Sequence, residues 1–118
     1  QKDIHAIATS KRWLAAGGED RIVWLVSLIK DQPPIRLVEL PHVVQSLAIS
    51  PDGERLAIGS SNSIELYELN NEGGQRIREV ANSNHNVPLV AREVYCVAFS
   101  SDSRWLAATS WEKSVGLW

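Results

Sequence analysis

Apolar residues in this chain fall into short runs separated by polar turns. Ile4 to Thr9, Trp13 to Ala16 and Ile22 to Leu28 are the first three. Ser10-Lys11-Arg12 separates the first pair, and Gly17-Gly18-Glu19-Asp20-Arg21 separates the second. Runs this short, rich in β-branched and aromatic residues and closed by turn formers, predict strands. None is long enough for a helix without a break. Because strict alternation is absent, these strands are expected to be buried on both faces. Lys30 to Pro34 predicts a loop, since Pro33-Pro34 bars helix and central strand. Ile35 to Leu40 sets Ile35 and Leu37 against Arg36 and Glu39, predicting a strand with one wetter face that Pro41 closes.

The cycle then restarts. Val43 to Ile49, Arg55 to Ile58 and Ile64 to Leu69 predict strands, with Gly59 to Ser63 as a turn. Ser50-Pro51-Asp52-Gly53 is a β-turn with a mechanism: Pro presets φ, Asp bonds nearby amides, and Gly accepts positive φ. Asn70 to Gln75, with Gly73-Gly74, reads as a flexible polar loop, Arg76 to Val80 as a charged edge strand, and Ala81 to Pro88 as irregular. Val94 to Phe99 begins a third round that runs to Trp118. The equivalent leucines Leu14 and Leu56 are 42 residues apart, and Leu56 and Leu106 are 50 apart. The excess falls within 70–93, read as a loop insertion, so the units span about 1–41, 42–81 and 92–118 of one segment. Four strands per repeat at this period are the signature of propeller blades. The expected fold is therefore all-β, with about three blades of four antiparallel strands belonging to a larger closed ring.

Two stretches carry a family resemblance: Leu47-Ala48-Ile49-Ser50-Pro51-Asp52-Gly53-Glu54-Arg55-Leu56-Ala57-Ile58-Gly59-Ser60 and Val97-Ala98-Phe99-Ser100-Ser101-Asp102-Ser103-Arg104-Trp105-Leu106-Ala107. With Val115-Gly116-Leu117-Trp118 closing the third unit, the chain resembles a WD-repeat β-propeller along essentially its whole length. Trp118 holds the family's Trp position and Tyr67-Glu68 holds it in the second unit. In the first unit an ungapped alignment puts Val26-Ser27 there, in preference to Trp24, because Val23 and Leu25 then align with Val115 and Leu117. The family's blades often carry a buried His, Ser/Thr, Asp and Trp network. His42, Asp20 and Trp118 each match one member, but Ala16, Ile58 and Ala108 stand at the Ser/Thr position, and Asn62 and Glu112 at the turn Asp. The resemblance therefore implies blades held by apolar packing, with Leu14, Leu56 and Leu106 in the core and His42 structural rather than catalytic. Trp13 and Trp105 share one repeat position, held by Arg55 in the second unit, and are expected to pack between blades or cap them.

Composition narrows the function. Net charge is −2, so nothing favours nucleic acid or an anionic membrane as a partner. No apolar run is long enough for a spanning helix. A single cysteine, Cys96, excludes an internal disulfide framework, and no Asn-x-Ser/Thr acceptor occurs. Both fit a cytoplasmic setting. The three histidines, His5, His42 and His85, have no second ligand at metal spacing. Cys96, in an apolar strand, reads as a small buried hydrophobe. Neither Gly17-Gly18 nor Gly73-Gly74 matches a phosphate loop; both read as turn glycines. No cofactor, metal or catalytic group is expected, and the chain is not expected to be an enzyme.

What remains is a binding surface. The resemblance implies that partners meet the rim formed by the starts of the first strands and the turns between second and third strands. By position that rim holds His5 and Glu19, then Gln45 and Ser61, then Glu93, Tyr95 and Trp111. Trp111, a large ring in the polar turn Thr109 to Lys113, is the strongest candidate for protein contact. The expected function is a non-catalytic scaffold or sensor propeller that binds other proteins. Two alternatives stand beside it. The third unit stops at Trp118 and the chain holds no methionine. It is therefore expected to be either an excerpt of a larger propeller or a module that completes a ring with copies of itself. The compact repeats also resemble prokaryotic arrays fused to signalling ATPases or kinases, which implies a regulatory propeller.

Overall fold

The computed structural model describes residues 3–60, 63–70, 73–81, 94–110 and 115–117. These residues form eleven strands and no helix: β1 (Ile4–Thr9), β2 (Trp13–Gly18), β3 (Ile22–Ser27), β4 (Ile35–Glu39), β5 (Val44–Ile49), β6 (Arg55–Ser60), β7 (Ser63–Asn70), β8 (Gly73–Ala81), β9 (Val94–Phe99), β10 (Leu106–Ser110) and β11 (Val115–Leu117). They make three sheets, ordered β1-β2-β3-β4, β5-β6-β7-β8 and β9-β10-β11, antiparallel throughout. Each sheet is a meander of consecutive strands, because short turns leave no length for a crossover. Neighbouring sheets pack most closely at their first strands, β1 against β5 and β5 against β9, while β4 and β8 barely meet. The sheets fan outward from a shared inner edge, as propeller blades do.

The strand register aligns the repeats. Leu14 lies opposite Val26, and Leu56 opposite Tyr67. Ala15, Ala57 and Ala107 lie opposite Leu25, Leu66 and Leu117. Val26 and Tyr67 are therefore equivalent, as the ungapped alignment required. Trp118, the third member, lies outside the described residues.

Two apolar layers hold the blades together. Trp13, Ala15, Val23 and Leu25 of the first blade pack against Val44, Leu47, Leu56, Ile58 and Tyr67 of the second. Ala57, Ile64 and Leu66 of the second pack against Val97, Leu106 and Ala108 of the third. Each blade thus has a head face toward the blade before it and a tail face toward the blade after it. The middle blade is covered on both, and β6 is buried from Leu56 to Ser60. Among the described residues the first blade is covered on its tail face alone, so burial in β2 alternates from Trp13 to Ala16. The expectation of strands buried on both faces is thus corrected for the first blade: an apolar face stays wet until a neighbour covers it.

Several local expectations change for related reasons. Gly17 and Gly18 end β2 rather than sit in the turn, and both are buried. Gly73 and Gly74 open β8, paired with Asn70 and Leu69. Gly59 and Ser60 likewise continue β6. Cys96 is exposed on β9, not buried. Trp13 is 3% exposed, but its repeat equivalent Trp105 is 51% exposed, just before β10. Cys96 and Trp105 both lie on the third blade's tail face, which no other blade among the described residues covers.

The turns between the first and second strands of the second and third blades are built from a hydroxyl and a carboxylate. Ser50 donates from Oγ to Asp52 Oδ1, which also accepts the Glu54 amide at 2.9 Å, and the Arg55 amide donates to Ser50 Oγ at 3.0 Å. Ser100 and Asp102 repeat the pattern, with the Arg104 amide on Asp102 at 3.1 Å. Gly53 and Ser103 take positive φ at the matching turn position. Ser103 Oγ accepts the Asp52 amide at 3.2 Å, tying the third blade to the second. The Ser50 hydroxyl, then the Glu54 amide, hold the Asp52 carboxyl below its ordinary range. The Ser100 hydroxyl and the Arg104 amide do the same for Asp102. Depressed carboxyls contribute stability above the ordinary carboxylate pKa of about 4, and that contribution is lost as pH falls through the folded-state values. The urea midpoint is therefore expected to drop on acidification below about pH 4. Asp52→Asn with Asp102→Asn should flatten that limb; an unchanged acid limb would show that other carboxyls control it.

Candidate partner-binding rim

The same irregularity occurs at the start of the first strand in every blade. On β1, Ile4 pairs with Gly18 and Ala6 with Gly17, leaving His5 as an extra residue. On β5, Val44 pairs with Ser60 and Ser46 with Gly59, leaving Gln45. On β9, Val94 pairs with Ser110 and Cys96 with Thr109, leaving Tyr95. A β-bulge of this kind sets two residues against one and re-aims the extra side chain. Three bulges on neighbouring inner strands place His5, Gln45 and Tyr95 along one rim. Sequence reading reached these three residues by position but not the bulge that distinguishes them. A bulge is a mismatch between two strands and leaves no mark on either one alone.

His5 and Glu19, both placed on this rim by repeat position, come together. His5 Nε2 lies 3.4 Å from Glu19 Oε1, with 39% and 45% of the side chains exposed. The Glu19 amide donates to the Asp3 carbonyl at 2.9 Å, which holds the β2–β3 turn beside the start of β1. An exposed pair of this kind adds little stability, so its polar atoms stay open to a partner. Gln45 is half-buried in its bulge. Beside it, Ser46 Oγ is buried without a hydrogen-bond partner among the described residues. Ser61, Glu93 and Trp111 lie outside the described residues, and for Tyr95 only the backbone is described.

Among the described residues matched to the family's polar network, Asp20 and His42 share no hydrogen bond. Asp20 Oδ1 accepts the Ile22 amide at 3.1 Å, an Asx-type cap of its own turn. His42 is exposed in the connection before β5, and Ile58 stands where the family has a hydroxyl. Tyr67 is buried and donates to Glu65 Oε1 at 3.0 Å. Among the described residues, no three His, Cys, Asp or Glu side chains converge as a metal would need. The described residues form no helix, so none is long and apolar enough to cross a membrane.

A family model described as "WD domain, G-beta repeat" matches residues 36–68 and 79–118, more than half of the chain. The chain belongs to the WD-repeat family. Among curated relatives, the Protein LST8 homolog of Drosophila melanogaster is 28% identical over 105 residues, covering 89% of this chain and 33% of that protein. Periodic tryptophan protein 2 of Saccharomyces cerevisiae is 32% identical over 72 residues, 61% of this chain and 7% of that protein. This WD-repeat chain thus spans a third or less of the length of these relatives. A chain in a solved structure titled "Crystal Structure of Mitotic Checkpoint Complex" superposes with a TM-score of 0.73 at 19% identity. It covers 98% of this chain, and 37% of its own length is matched. That likeness supports the propeller fold, and its title places the neighbour in a multiprotein assembly.

Proposed function

We propose that this WD-repeat chain is a non-catalytic protein-interaction scaffold or sensor that binds partner proteins through the bulged rim. The supporting observation is the recurrence of one bulge in three blades, at His5, Gln45 and Tyr95, with Glu19 paired to His5 beside it. A structural irregularity repeated at one end of every blade, and lined by residues of different chemistry, suits a constant frame with a variable contact surface. Repeat position adds Ser61, Glu93 and Trp111 to that surface. A cytoplasmic setting belongs to the same proposal, motivated by the lone cysteine of the sequence.

The test is site-specific photo-crosslinking. A crosslinker at Gln45 should capture a protein partner that one at Asp102, on the opposite rim, does not. Binding of that partner is expected to weaken by ~2 kcal/mol or more in Trp111→Ala, with the melting temperature unchanged. A falling melting temperature with unchanged affinity would make Trp111 a packing residue. Equal capture from both rims would remove the assignment of the bulged face.

A further inference from the structure

Asp52-Gly53 is the one Asp-Gly pair in the chain, and there is no Asn-Gly pair. An Asp-Gly pair is chemically labile. Its glycine nitrogen can attack the aspartate Cγ, because glycine has no Cβ to hinder the approach. A C–N bond forms and closes a succinimide ring, while the amide proton and a carboxyl OH leave together as water. Water then opens the ring at either carbonyl. One opening returns aspartate; the other gives isoaspartate, whose main chain runs through Cβ and Cγ. Nothing is oxidised or reduced, and the water lost in the first step is regained in the second.

Ring closure needs a free glycine nitrogen, a neutral carboxyl and a Cγ able to swing onto that nitrogen. All three are opposed here. The Gly53 N–H donates to the Ser50 carbonyl at 2.8 Å. Asp52 Oδ1 accepts from Ser50 Oγ and from the Glu54 amide at 2.9 Å, so the carboxyl is held by two donors. The same donors, Ser50 first, lower its pKa and keep it ionised. Burial is not what protects it, since Asp52 itself is exposed to water. The latch is firm because Ser50 is 0% exposed and its Oγ also accepts the Arg55 amide at 3.0 Å. The third blade repeats the latch with Ser100 and Asp102, but carries Ser103 where the second has glycine.

We infer that Asp52-Gly53 is a latent isoaspartate modification site that the Ser50 hydroxyl protects, and that modification there loosens the second blade from the third. The Asp52 amide donates to Ser103 Oγ at 3.2 Å, a direct tie between the two blades. Isoaspartate adds one carbon to the main chain immediately after that amide and turns the former carbonyl into a free carboxylate. Gly53, at φ 77°, then loses its register with the Ser50 carbonyl, and the tie to Ser103 loses the turn that positions it. This inference is independent of the rim proposal, since none of these residues belongs to the bulged rim.

The test is isoaspartate formation in the purified protein at neutral pH, read by chromatography and mass spectrometry of tryptic peptides. Residues 37–55 and 93–104 are two such peptides, each with a single aspartate, Asp52 or Asp102. Conversion at Asp52 should be at least about tenfold slower than in a synthetic peptide of residues 47–56, the weight of one hydrogen bond to a charged group. Ser50→Ala is expected to raise the rate in the protein about tenfold. Ser100→Ala, the same truncation in the third blade, should leave the Asp52 rate unchanged. A rise shared by both variants would be general loosening and would overturn the inference. Ser103→Gly supplies an Asp-Gly pair under the Ser100 latch, and it should stay slow until Ser100→Ala is added. Conversion of Asp52 at the peptide's rate, or a rate indifferent to Ser50→Ala, would equally overturn the protection. The isolated isoaspartate form should unfold at a lower urea midpoint than its parent; an equal midpoint would overturn the loosening of the blades.

Discussion

Leu56→Ala is expected to destabilise the protein by about 2–5 kcal/mol, the range for truncating a fully buried leucine. Leu56 is 0% exposed and packs against the first blade from the head face of the second. The repeat supplies its own control. Leu106 is also buried, against the second blade, and Leu106→Ala should fall in the same range. Leu14 holds the same repeat position on the open face and is half-buried, so Leu14→Ala should cost clearly less. Chemical denaturation of the three variants checks the order. Equal costs at all three positions would mean that the first blade's head face is covered in solution.

Gly17→Ala is the second large effect, and its sign is opposite to the usual one. Within a strand, alanine ordinarily gains about 0.5–1 kcal/mol over glycine through the unfolded state. At Gly17 an added Cβ would meet Val44 Cγ1 at 2.9 Å, and Val44 Cβ and Cγ2 at 3.1 Å. Val44 is 0% exposed and β-branched, so it has little freedom to turn away. The blades must separate locally, and the expected loss is about 1–3 kcal/mol. Trimming the obstacle should recover part of it, so Gly17→Ala combined with Val44→Ala should destabilise less than the sum of the single changes. Strict additivity in a double-mutant cycle would show that the two side chains do not compete for that space. The third blade carries Thr109 at the equivalent position, where it is exposed because no blade abuts it.

The same contrast separates the features that local pattern dictates from those it does not. The turn Ser50-Pro51-Asp52-Gly53 is legible because its chemistry is contained in four neighbouring residues: a preset φ, a side-chain cap and a positive φ. The glycine pairs lie in strands and not in turns, and local pattern does not show it, for the opposite reason. Gly17 is glycine because of Val44 in another blade, and no window around Gly17-Gly18 holds that information. His5 and Glu19 could be named by repeat position, but their 3.4 Å approach depends on the pairing of β1 with β2. Trp13 and Trp105 sit in nearly identical local contexts and differ from 3% to 51% exposure, since burial belongs to the neighbour and not to the segment.

The sequence by itself determined the strands, their meander order, the three-fold repetition and the family, because turn chemistry and apolar period act over a few residues and recur. The tertiary structure alone decided which faces are buried, where the bulges fall, and that Cys96, His42 and Trp105 lie exposed. Those outcomes depend on contacts between strands and between blades, and such contacts are properties of the packed sheets rather than of any one stretch of chain.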